Sequence, residues 1–534
     1  MEEEAFVLTD KNLYLTGEEI YFSTGLYSST ETSKPLSTII YVEFITPSGK
    51  PVIAIKIPAK SGYSNGIIDI PENISSGYYY LRAYSKSMRN SDPHRYAYSS
   101  IKIVNPVKKE VLEENGGHEE NLLSPIKEKA ETDNLFEITL ERDKYRVREQ
   151  VQIRITSSGI PDSLLYSSIS VIPEHSIYIF NREIPEKENT QAISNIYNTE
   201  IKGLSISGIV ENEPGHDLSV KSVNLTLLGE NKNVFYPIPV DQKGRFVFTL
   251  PELYSRHDMF VSIDTNSGNT RLLIDNDFCS KNIDLPSPVF SLSDKEEKMA
   301  LQAAVNLQIK EHFNTAEKDS KLIKQAELFS DTIPFYGKPG QSVYIENYID
   351  LPYLSDYFLE LNVPVRIKHE KNEISLSIIS EDPTINLYPP LVMVDYVPVY
   401  DRESFLKINP KKVLRFDLMN SPYQRGEFIY GGILNVISKN NDFTGIKLPE
   451  TGIFLDYQFL TPSMRKASWE QAPGKDQPDT RNTLYWNPEA GLRKNGESAF
   501  SFYTADTKGT YLVKVSAITK KGEIIECFKR FEVE

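Results

Sequence analysis

The sequence predicts a mainly β protein, built as a string of small β-sandwiches with one small α+β unit among them. Tyrosine and phenylalanine are abundant, at 31 and 25 residues against only 7 methionines, and aromatic side chains suit pleated, half-buried strands. Short runs alternate between apolar and other residues, and turn signals recur about every ten residues, as in a sandwich. A chain of 534 residues is also too long for one hydrophobic core, so several domains are expected.

The first predicted domain, residues 1–107, is a β-sandwich. Residues 5–25 read as strand, turn and strand, with Gly17 supplying the positive φ of a tight connection. Further strands, the last of them with a clear period of two, are predicted at residues 37–46, 51–57 and 77–83. Residues 108–134 are polar and Gly-containing, which is typical of a linker.

A partial repeat predicts a second copy of this sandwich in residues 135–204. The segments 14–22 and 145–153 both contain a tyrosine, three further residues, a glutamate and then an alternating apolar strand. The matching residues are Tyr14 with Tyr145 and Glu18 with Glu149. Two similar sandwiches in tandem are the simplest explanation.

Residues 205–282 form a further predicted β-sandwich, and residues 283–335 a helical connector. Strands are expected near residues 203–210, 223–228, 244–250 and 259–263. Ser293 and Glu296 fit a helix capping box. After it, four apolar residues recur every four positions along one predicted helix face, which indicates core or inter-domain packing; they are Leu301, Val305, Ile309 and Phe313.

Residues 336–445 predict the small α+β unit. Residues 350–361 and 402–408 have helical patterns, and strands are expected at 391–394, 412–418 and 432–438. Residues 446–479 are predicted as a polar, Pro-rich linker. Residues 480–534 predict a C-terminal sandwich, with strands at 498–503, 509–517 and 523–533.

A search for catalytic, cofactor and metal motifs identifies no site residue. No two of the seven histidines lie within five residues of each other, so no local metal-binding pair exists; they are His94, His118, His175, His216, His257, His312 and His369. Residues 337–342 lack phosphate-loop spacing, and Pro339 removes a backbone donor. No nucleophile elbow is present. Two carboxylates that meet only in the folded chain are not excluded by sequence.

Three further motifs have simpler explanations than their functional ones. Residues 264–269 place oxygen ligands on alternate residues, but the glycine falls one place early for an EF-hand, and a hairpin turn is favoured. Residues 448–452 spell the sortase signal Leu-Pro-Glu-Thr-Gly without the apolar segment and basic tail that sorting requires. The glycosylation triplets at Asn73 and Asn224 are common by chance.

The N-terminal motif resembles a known family. Thr9-Asp10-Lys11, Tyr14 and residues 17–22 resemble the MG2 domain of the alpha-2-macroglobulin family, a resemblance that covers roughly residues 5–105. Residues 76–78, 81–84 and 88–90 look like the version in large exported proteins of Bacteroidota. The resemblance implies a macroglobulin-like, Ig-like sandwich. Covalent trapping of proteases is not implied, because no Gly-Cys-Gly-Glu-Gln thioester motif occurs.

The α+β unit resembles the plug domain of TonB-dependent outer-membrane receptors. The residues that match are 391–395, 397–399, 408–410, Val413, Tyr423, Gly426 and 431–439. Such plugs usually have Gly where this chain has Tyr396. Only about 95 residues follow, so the resemblance implies a plug-like module without a transport barrel. Residues 478–488, 500–506 and 509–511 look like the terminal Ig-like module of the same Bacteroidota proteins, and residues 205–275 weakly resemble carboxypeptidase-regulatory-like sandwiches.

These resemblances lead us to expect a non-catalytic, extracytoplasmic binding or scaffold protein. It would be associated with the outer membrane, peripherally or through a lipid anchor, as an accessory subunit of a secretion or nutrient-uptake assembly. Its partners would be outer-membrane or cell-surface proteins, and no cofactor is expected. One alternative is a glycan-binding protein, with Tyr485 and Trp486 stacking on sugar unless both are buried at a domain seam. The other is an enzyme with a non-local carboxylate site.

The charge and cysteine content agree with these expectations. The formal net charge of -15 argues against nucleic acid or anionic lipid as a partner, because both attract clustered Lys and Arg. Cys279 and Cys527 are expected to be separate thiols rather than a disulfide between distant domains. No run of about 18 apolar residues predicts a spanning helix. Residues 1–4 lack a signal peptide's features, so an exported form would have lost its leader, and a lipid-bearing cysteine before residue 2 would not be seen.

Overall fold

The computed structural model describes most of the chain and is mainly β. The described residues are 3–28, 37–113, 123–124, 136–157, 164–180, 197–212, 220–229, 233–264, 270–313, 333–361, 363–370, 373–446, 448–449, 451–464, 469, 477–492 and 496–534. Most of the predicted linker 108–134 and most of the 264–269 loop lie outside them. The chain divides into two compact units: unit 1 is Met1–Leu204, Asp277–Lys324 and Leu460–Glu534, and unit 2 is Ser205–Asn276 and Gln325–Phe459.

The strands and helices are numbered here in chain order. Those up to residue 180 are β1 Glu3–Thr9, β2 Leu13–Leu15, β3 Glu19–Ser28, β4 Ile39–Ile45, β5 Pro51–Pro58, β6 Tyr63–Asp69, β7 Gly77–Tyr84, β8 Ala97–Val104, β9 Leu123–Ser124, β10 Phe136–Leu140, β11 Lys144–Tyr145, β12 Gln150–Ser157, β13 Leu164–Pro173 and β14 Ile179–Phe180. Those up to residue 313 are β15 Ser205–Asn212, β16 Ser222–Leu228, β17 Val234–Pro239, β18 Arg245–Thr249, β19 Arg256–Ile263, β20 Thr270–Ile274 and α1 Asp294–Phe313.

The remaining elements follow the long helix. They are β21 Gln341–Tyr344, α2 Leu354–Glu360, β22 Val365–Glu370, β23 Glu373–Ile378, β24 Leu391–Val394, β25 Val397–Pro398, α3 Arg402–Leu406, β26 Val413–Met419, β27 Tyr423–Arg425, β28 Phe428–Tyr430, β29 Ile433–Ser438, β30 Ile453–Gln458, β31 Tyr485–Asn487, β32 Glu497–Tyr503, β33 Gly509–Thr519 and β34 Ile524–Val533. Short 3₁₀ turns are Ser87–Asn90, Pro93–Arg95, Glu174–Ser176, Ile345–Asn347, Pro383–Leu387, Pro410–Lys412 and Phe443–Gly445.

The first sandwich of unit 1 consists of two facing sheets. One has the strand order β2-β8-β7-β4-β5 and the other β1-β3-β6. The short β2 pairs in parallel with β8, and the remaining neighbours are antiparallel. The predicted strands of this region form, and every residue of β7 is buried.

The second sandwich of unit 1 repeats this topology strand for strand. Its sheets have the orders β11-β34-β33-β13-β31 and β10-β12-β32, and the short β11 again pairs in parallel with the last strand, β34. Its first four strands come before residue 174 and its last four after residue 484. The predicted division of these strands into separate modules, 135–204 and 480–534, is therefore wrong. They form one sandwich, because β12 pairs with β32 and β13 pairs with β31 and β33.

The outer face of the first sandwich is covered by chain from the middle of the sequence. Ile283 and Leu285 pack on Ile45 and Tyr80, which explains why both faces of β7 are buried. The capping box of α1 forms as predicted: the Ser293 backbone N donates to Glu296 Oε2 at 2.8 Å, and Glu296 N donates to Ser293 Oγ at 3.4 Å.

The buried face of α1 is not the predicted one. Leu301, Val305 and Phe313 are 61%, 49% and 53% exposed. The buried residues are Ala300, Ala303 and Asn306, and the two alanines pack with Leu13, Leu15 and Val104, while Met299 and Leu307 of the same helix are partly buried against this cluster. Three residues of the four-residue apolar stripe, for which core or inter-domain packing was predicted, are therefore exposed, and Ile309 is half-buried.

Unit 2 joins a β-sandwich to the α+β domain. The sandwich has sheets of order β18-β15-β20 and β17-β16-β19-β30. Its edge strand β30 comes from the predicted linker 446–479, so part of that segment is a strand that pairs with β19. The α+β domain has a mixed sheet of order β21-β26-β29-β24-β25, with α2 and α3 packed on it through Tyr357, Phe358 and Phe405.

A tight turn in unit 2 lies between β24 and β25. Asp395 and Tyr396 both have positive φ, 48° and 66°, between β24 and β25. This backbone is strained for a bulky residue. The Tyr396 ring stacks on Tyr336 at 6.0 Å, and its carbonyl accepts a hydrogen bond from Thr226 Oγ1 at 3.0 Å. The stacking of the Tyr396 ring on Tyr336, which glycine could not provide, offsets this strain.

Candidate functional site

Unit 1 contains buried carboxylates, the groups on which the alternative of a non-local carboxylate site depends. In the first sandwich, Asp10 and Glu18 flank Lys11. The Lys11 Nζ lies 2.7 Å from Glu18 Oε1, and both side chains are almost fully buried, at 3% and 5% exposed. Burial raises the pKa of Asp10, although the Lys11 ammonium opposes that shift.

The contacts of this cluster close a local turn and join that turn to a distant segment of the chain. Asp10 accepts hydrogen bonds from the Tyr14 hydroxyl at 2.6 Å and from Thr483 Oγ1 at 2.6 Å. Glu18 accepts from Leu15 N at 2.7 Å and from Asn482 Nδ2 at 2.7 Å. These carboxylates have no room for a substrate, and their partners connect the first sandwich to the segment before β31. Their role is structural.

Two further buried ion pairs lie in unit 1. Arg82 Nε lies 2.8 Å from Glu43 Oε2 with both side chains fully buried, and the Tyr84 hydroxyl donates to the same oxygen at 2.6 Å. Lys56 Nζ contacts Asp277 Oδ2 at 2.5 Å. Burial lowers the pKa of Lys56, and Asp277 opposes this. Each pair is packed among aromatic rings rather than around a cavity.

In unit 2, two buried aspartates hold loops in place. Asp395 accepts from the Ser438 backbone N and hydroxyl, at 2.8 and 2.6 Å, and from Phe443 N at 2.9 Å. Burial raises the pKa of Asp395. Asp417 accepts from Ser342 Oγ at 2.7 Å, which places the hydroxyl of the rejected phosphate-loop segment in a structural bond.

The residues proposed for glycan stacking are not accessible. Tyr485 is 3% exposed and Trp486 is 2% exposed. Trp486 packs with Tyr21 and Met464, and Tyr485 lies in the core of the second sandwich. Both residues are thus buried, Tyr485 within a sandwich core and Trp486 against Tyr21 of the first sandwich, and neither offers a platform for a sugar. Asn224 of the second glycosylation triplet is buried as well, and its amide donates to the Tyr400 hydroxyl at 2.8 Å.

Metal and membrane features were also sought in the described part of the chain. There, no group of three or more His, Cys, Asp or Glu is placed to hold a metal ion. None of the helices described is both long and apolar enough to cross a bilayer. Cys279 and Cys527 are free thiols, as expected.

The strongest candidate for a functional surface is an exposed aromatic segment of the α+β domain. Within the run from β21 to α2, five large apolar side chains are between 40% and 78% exposed; they are Tyr344, Tyr348, Ile349, Tyr353 and Leu359. We call these five residues the Tyr344–Leu359 face. Exposed large apolar side chains mark an interaction site where they form a contiguous patch.

The fold holds this segment in a fixed conformation. Tyr344 ends β21, which pairs with β26 so that Tyr344 lies opposite Arg415. The buried Tyr357 hydroxyl donates to Ile349 O at 2.9 Å. Leu354, Tyr357 and Phe358 anchor α2 in the core beneath it. The exposed side chains are therefore presented by an ordered backbone.

Acidic residues accompany the aromatic ones on this face. Glu346, Asp350 and Glu360 are exposed within the same run. Asp350 pairs with Lys411, whose Nζ is 3.9 Å away and itself exposed. Sequence reasoning missed the face because tyrosines in a periodic run have the same pattern whether or not another layer covers them.

Comparisons with known proteins give structural likenesses only. No family model matches the chain, and none of the curated proteins matches it. Two structures of Salmonella alpha-2-macroglobulin, a mutant and the form reacted with methylamine, match with 8% and 9% identity and a TM-score of 0.25. Escherichia coli alpha-2-macroglobulin activated by porcine elastase matches with 9% identity and a TM-score of 0.23.

These matches cover 99% to 100% of this chain but only 39% to 44% of the macroglobulin chains. The chain thus spans about two fifths of the length of the structures it matches. With TM-scores this low, the mainly β, multi-sheet architecture rests on the strand pairing described above.

Proposed function

We propose that this chain is a non-catalytic binding and scaffold protein that acts outside the cytoplasm, associated with the outer membrane. Its role would be that of an accessory subunit in a secretion or nutrient-uptake assembly. The observation that supports this most is the Tyr344–Leu359 face, with five large apolar side chains exposed on an ordered segment. Aromatic residues give large contact areas at low entropic cost and are enriched where proteins bind each other.

The buried charges favour binding over catalysis. The carboxylates of Asp10, Glu18, Asp395 and Asp417 are each engaged by several donors within the protein. A catalytic carboxylate needs access to a substrate proton or carbon. These carboxylates bind donors of the chain itself, and this favours a structural role for them in a scaffold protein.

The proposed partner is an outer-membrane or cell-surface protein with basic residues at its contact surface. The face combines tyrosine rings with Glu346, Asp350 and Glu360, and the whole chain carries a net charge of -15. Lys and Arg of a partner could pair with the carboxylates and lie over the rings. The resemblance of residues 5–105 and 391–439 to exported and outer-membrane proteins supports the proposed location.

A site-specific cross-linking experiment tests the proposal. Tyr348 would be replaced by a photo-reactive phenylalanine analogue in cells that make the protein, and cross-linked products would be identified by mass spectrometry. Leu387 is a matched control, since it is 72% exposed in the same domain. Leu387 precedes β24, whose first residue, Leu391, aligns with Ile433 of β29. Ile433 pairs with Met419, the last residue of β26, whereas Tyr344 pairs with Arg415 near the first residue of β26. Leu387 therefore lies near the opposite end of the sheet from Tyr344.

The identified partner would then be purified and its affinity measured. We expect the double substitution Tyr348→Ser and Ile349→Ser to weaken binding by about thirtyfold, as loss of a central hot spot does, and Leu387→Ser to leave it unchanged. If photo-cross-linking from position 348 repeatedly yields no product with another protein, this result would count against the proposal. Equal weakening by Leu387→Ser would show that the face is not the contact surface.

A further inference from the structure

A cleft in unit 1 lies between the long helix and the second sandwich. It has a volume of about 320 Å³, which is at the small end of the range for small-molecule sites. One wall is the N-terminal half of α1, and the other is the loop that leads into β33. Its lining includes Lys295, Lys298, Ala303, Asn306, Lys508 and Tyr511.

Three lysines meet at this cleft without an acidic partner. Lys295 and Lys298 come from α1, and Lys508 comes from the opposite loop. In the described part of the chain, none of the three forms an ion pair. The one carboxylate in the wall, that of Glu174, is engaged by the guanidinium of Arg530. Ion-pair partners are found for other lysines of unit 1, such as Lys11, Lys56 and Lys102.

The interior of the cleft is apolar and fixed. Ala303 and Tyr511 line it and are buried. The nearly buried Asn306 donates to Asn482 Oδ1 at 2.8 Å and accepts from Gln302 Nε2 at 3.1 Å, so it ties the helix to the opposite wall. A pre-formed cleft loses little conformational entropy when a ligand enters.

We infer that this cleft binds a small organic anion, with its phosphate or carboxylate among the three lysines and its apolar part against Ala303 and Tyr511. Unpaired ammonium groups on a chain of net charge -15 create a local positive potential that favours an anion. The apolar lining favours a ligand with a hydrocarbon or aromatic body over a free inorganic ion. The site is independent of the Tyr344–Leu359 face, because the cleft lies in unit 1 and the face in unit 2.

Calorimetric titration of the full chain at low ionic strength tests this inference. Phenyl phosphate and benzoate represent the two possible anionic groups, and benzyl alcohol is the uncharged control. Inorganic phosphate lacks the apolar part. We expect one-site, saturable binding of phenyl phosphate, benzoate or both, and weaker binding of inorganic phosphate and benzyl alcohol.

A charge-matched pair of variants locates the site. Lys298→Gln with Lys508→Gln removes two cleft charges, and we expect it to weaken anion binding by about tenfold. Lys520→Gln with Lys521→Gln makes the same charge change at the far end of β33, where both lysines are exposed, and should alter affinity less than about twofold. Circular dichroism would verify that both variants fold.

Three results would overturn the inference. The first is no saturable binding of either phenyl phosphate or benzoate by the full chain. The second is equal weakening by the two pairs of substitutions, which would mean that the anion responds to overall charge. The third is inorganic phosphate binding as tightly as phenyl phosphate, which would remove the role of the apolar lining.

Discussion

The two sandwiches of unit 1 share one corner motif in two different environments. In the first, Lys11 contacts Glu18, whose other oxygen accepts from Leu15 N at 2.7 Å. In the second, Arg142 contacts Glu149 at 2.6 Å, and the other oxygen of Glu149 accepts from Arg146 N at 2.7 Å. Each contact of the first corner has a counterpart at the equivalent sequence position of the second, with arginine in place of lysine.

The tyrosine of the motif follows the same pattern. The hydroxyl of Tyr14 accepts from Lys11 N at 3.4 Å, and the hydroxyl of Tyr145 accepts from Arg142 N at 3.1 Å. In both copies a residue with positive φ precedes the glutamate, Gly17 at 83° and Arg148 at 57°. The motif is therefore a device that closes the turn between the second and third strands of this sandwich.

Burial is what differs between the copies. The Lys11 and Glu18 side chains are almost fully buried, whereas those of Arg142 and Glu149 are 56% and 27% exposed. The first corner is covered by α1 and by the segment before β31, which supplies Asn482 and Thr483. The same local contacts should thus have different energetic importance, because water screens only the second pair.

The largest effect is expected for Glu18→Gln. The substitution leaves the Lys11 ammonium buried without its nearest counter-charge, at a cost of about 3 kcal/mol. Amide hydrogen exchange of the peptides that contain β2 and β3 would measure the loss of protection. Unchanged protection in these peptides would mean that the buried pair adds nothing to stability.

A smaller effect is expected for Glu296→Gln. Glu296 lies on α1, the helix that covers the corner motif of the first sandwich. Glu296 pairs with the buried Lys102 at 2.8 Å and closes the helix capping box. Its substitution should destabilise α1 and β8 by about 2 kcal/mol. Hydrogen exchange in α1 and β8 measures this directly, and Glu297→Gln, at an exposed position on the same helix, is the control.

The pH dependence of that pair gives a separate check. Burial alone would raise the pKa of Glu296, but Lys102 and Ser293 outweigh it, and the pKa is lowered. A lowered pKa means that the stabilisation is present above the unfolded pKa of about 4.3 and is lost as the pH falls through the folded value. Over that pH range, the hydrogen-exchange protection of α1 in the wild-type protein should fall toward the protection measured in Glu296→Gln. Parallel pH profiles for the two proteins would contradict this.

A still smaller effect is expected for the exposed side of α1. Leu301→Ser with Val305→Ser changes two exposed residues, so unit 1 should lose no more than about 0.5 kcal/mol per site beyond the helix-propensity cost. The shift in Tm would be measured by calorimetry. A large drop in Tm would show that this stripe is packed in solution, as the sequence pattern predicted.

The smallest effect is expected for Glu149→Gln, the exposed counterpart of the first substitution. Arg142 stays hydrated when its partner is neutralised, and an amide oxygen can still accept from Arg146 N. Exchange of the peptides that contain β11 and β12 should therefore change little. A loss of protection as large as that caused by Glu18→Gln would remove the distinction between the two corners.

Local features of the fold were accessible from sequence. The capping box at Ser293, the strand at residues 391–394 and the repeat at Tyr14 and Tyr145 depend on neighbours in the chain, and each is present. Periodicity and turn residues carry such information.

Long-range pairing was not accessible in the same way. Arg148 binds Asp506 from 358 positions away, and nothing in either segment specifies the other. The buried face of α1 was mispredicted because it carries Ala300, Ala303 and Asn306, and small or polar residues give no apolar periodicity to read. The Tyr344–Leu359 face could not be predicted, since exposure depends on which layers the fold places over a segment.

The central structural claim is that one sandwich is assembled from strands on either side of a long insertion. Gln152 of β12 and Ser501 of β32 are direct cross-strand partners. Antiparallel partners have Cα atoms about 4.5–5.5 Å apart, within disulfide range. We expect the full chain with Gln152→Cys and Ser501→Cys to form this disulfide on mild oxidation, detected by peptide mass spectrometry, and Gln152→Cys with Lys520→Cys to form none. Absence of the 152–501 linkage, or equal linkage in the control, would contradict the split sandwich.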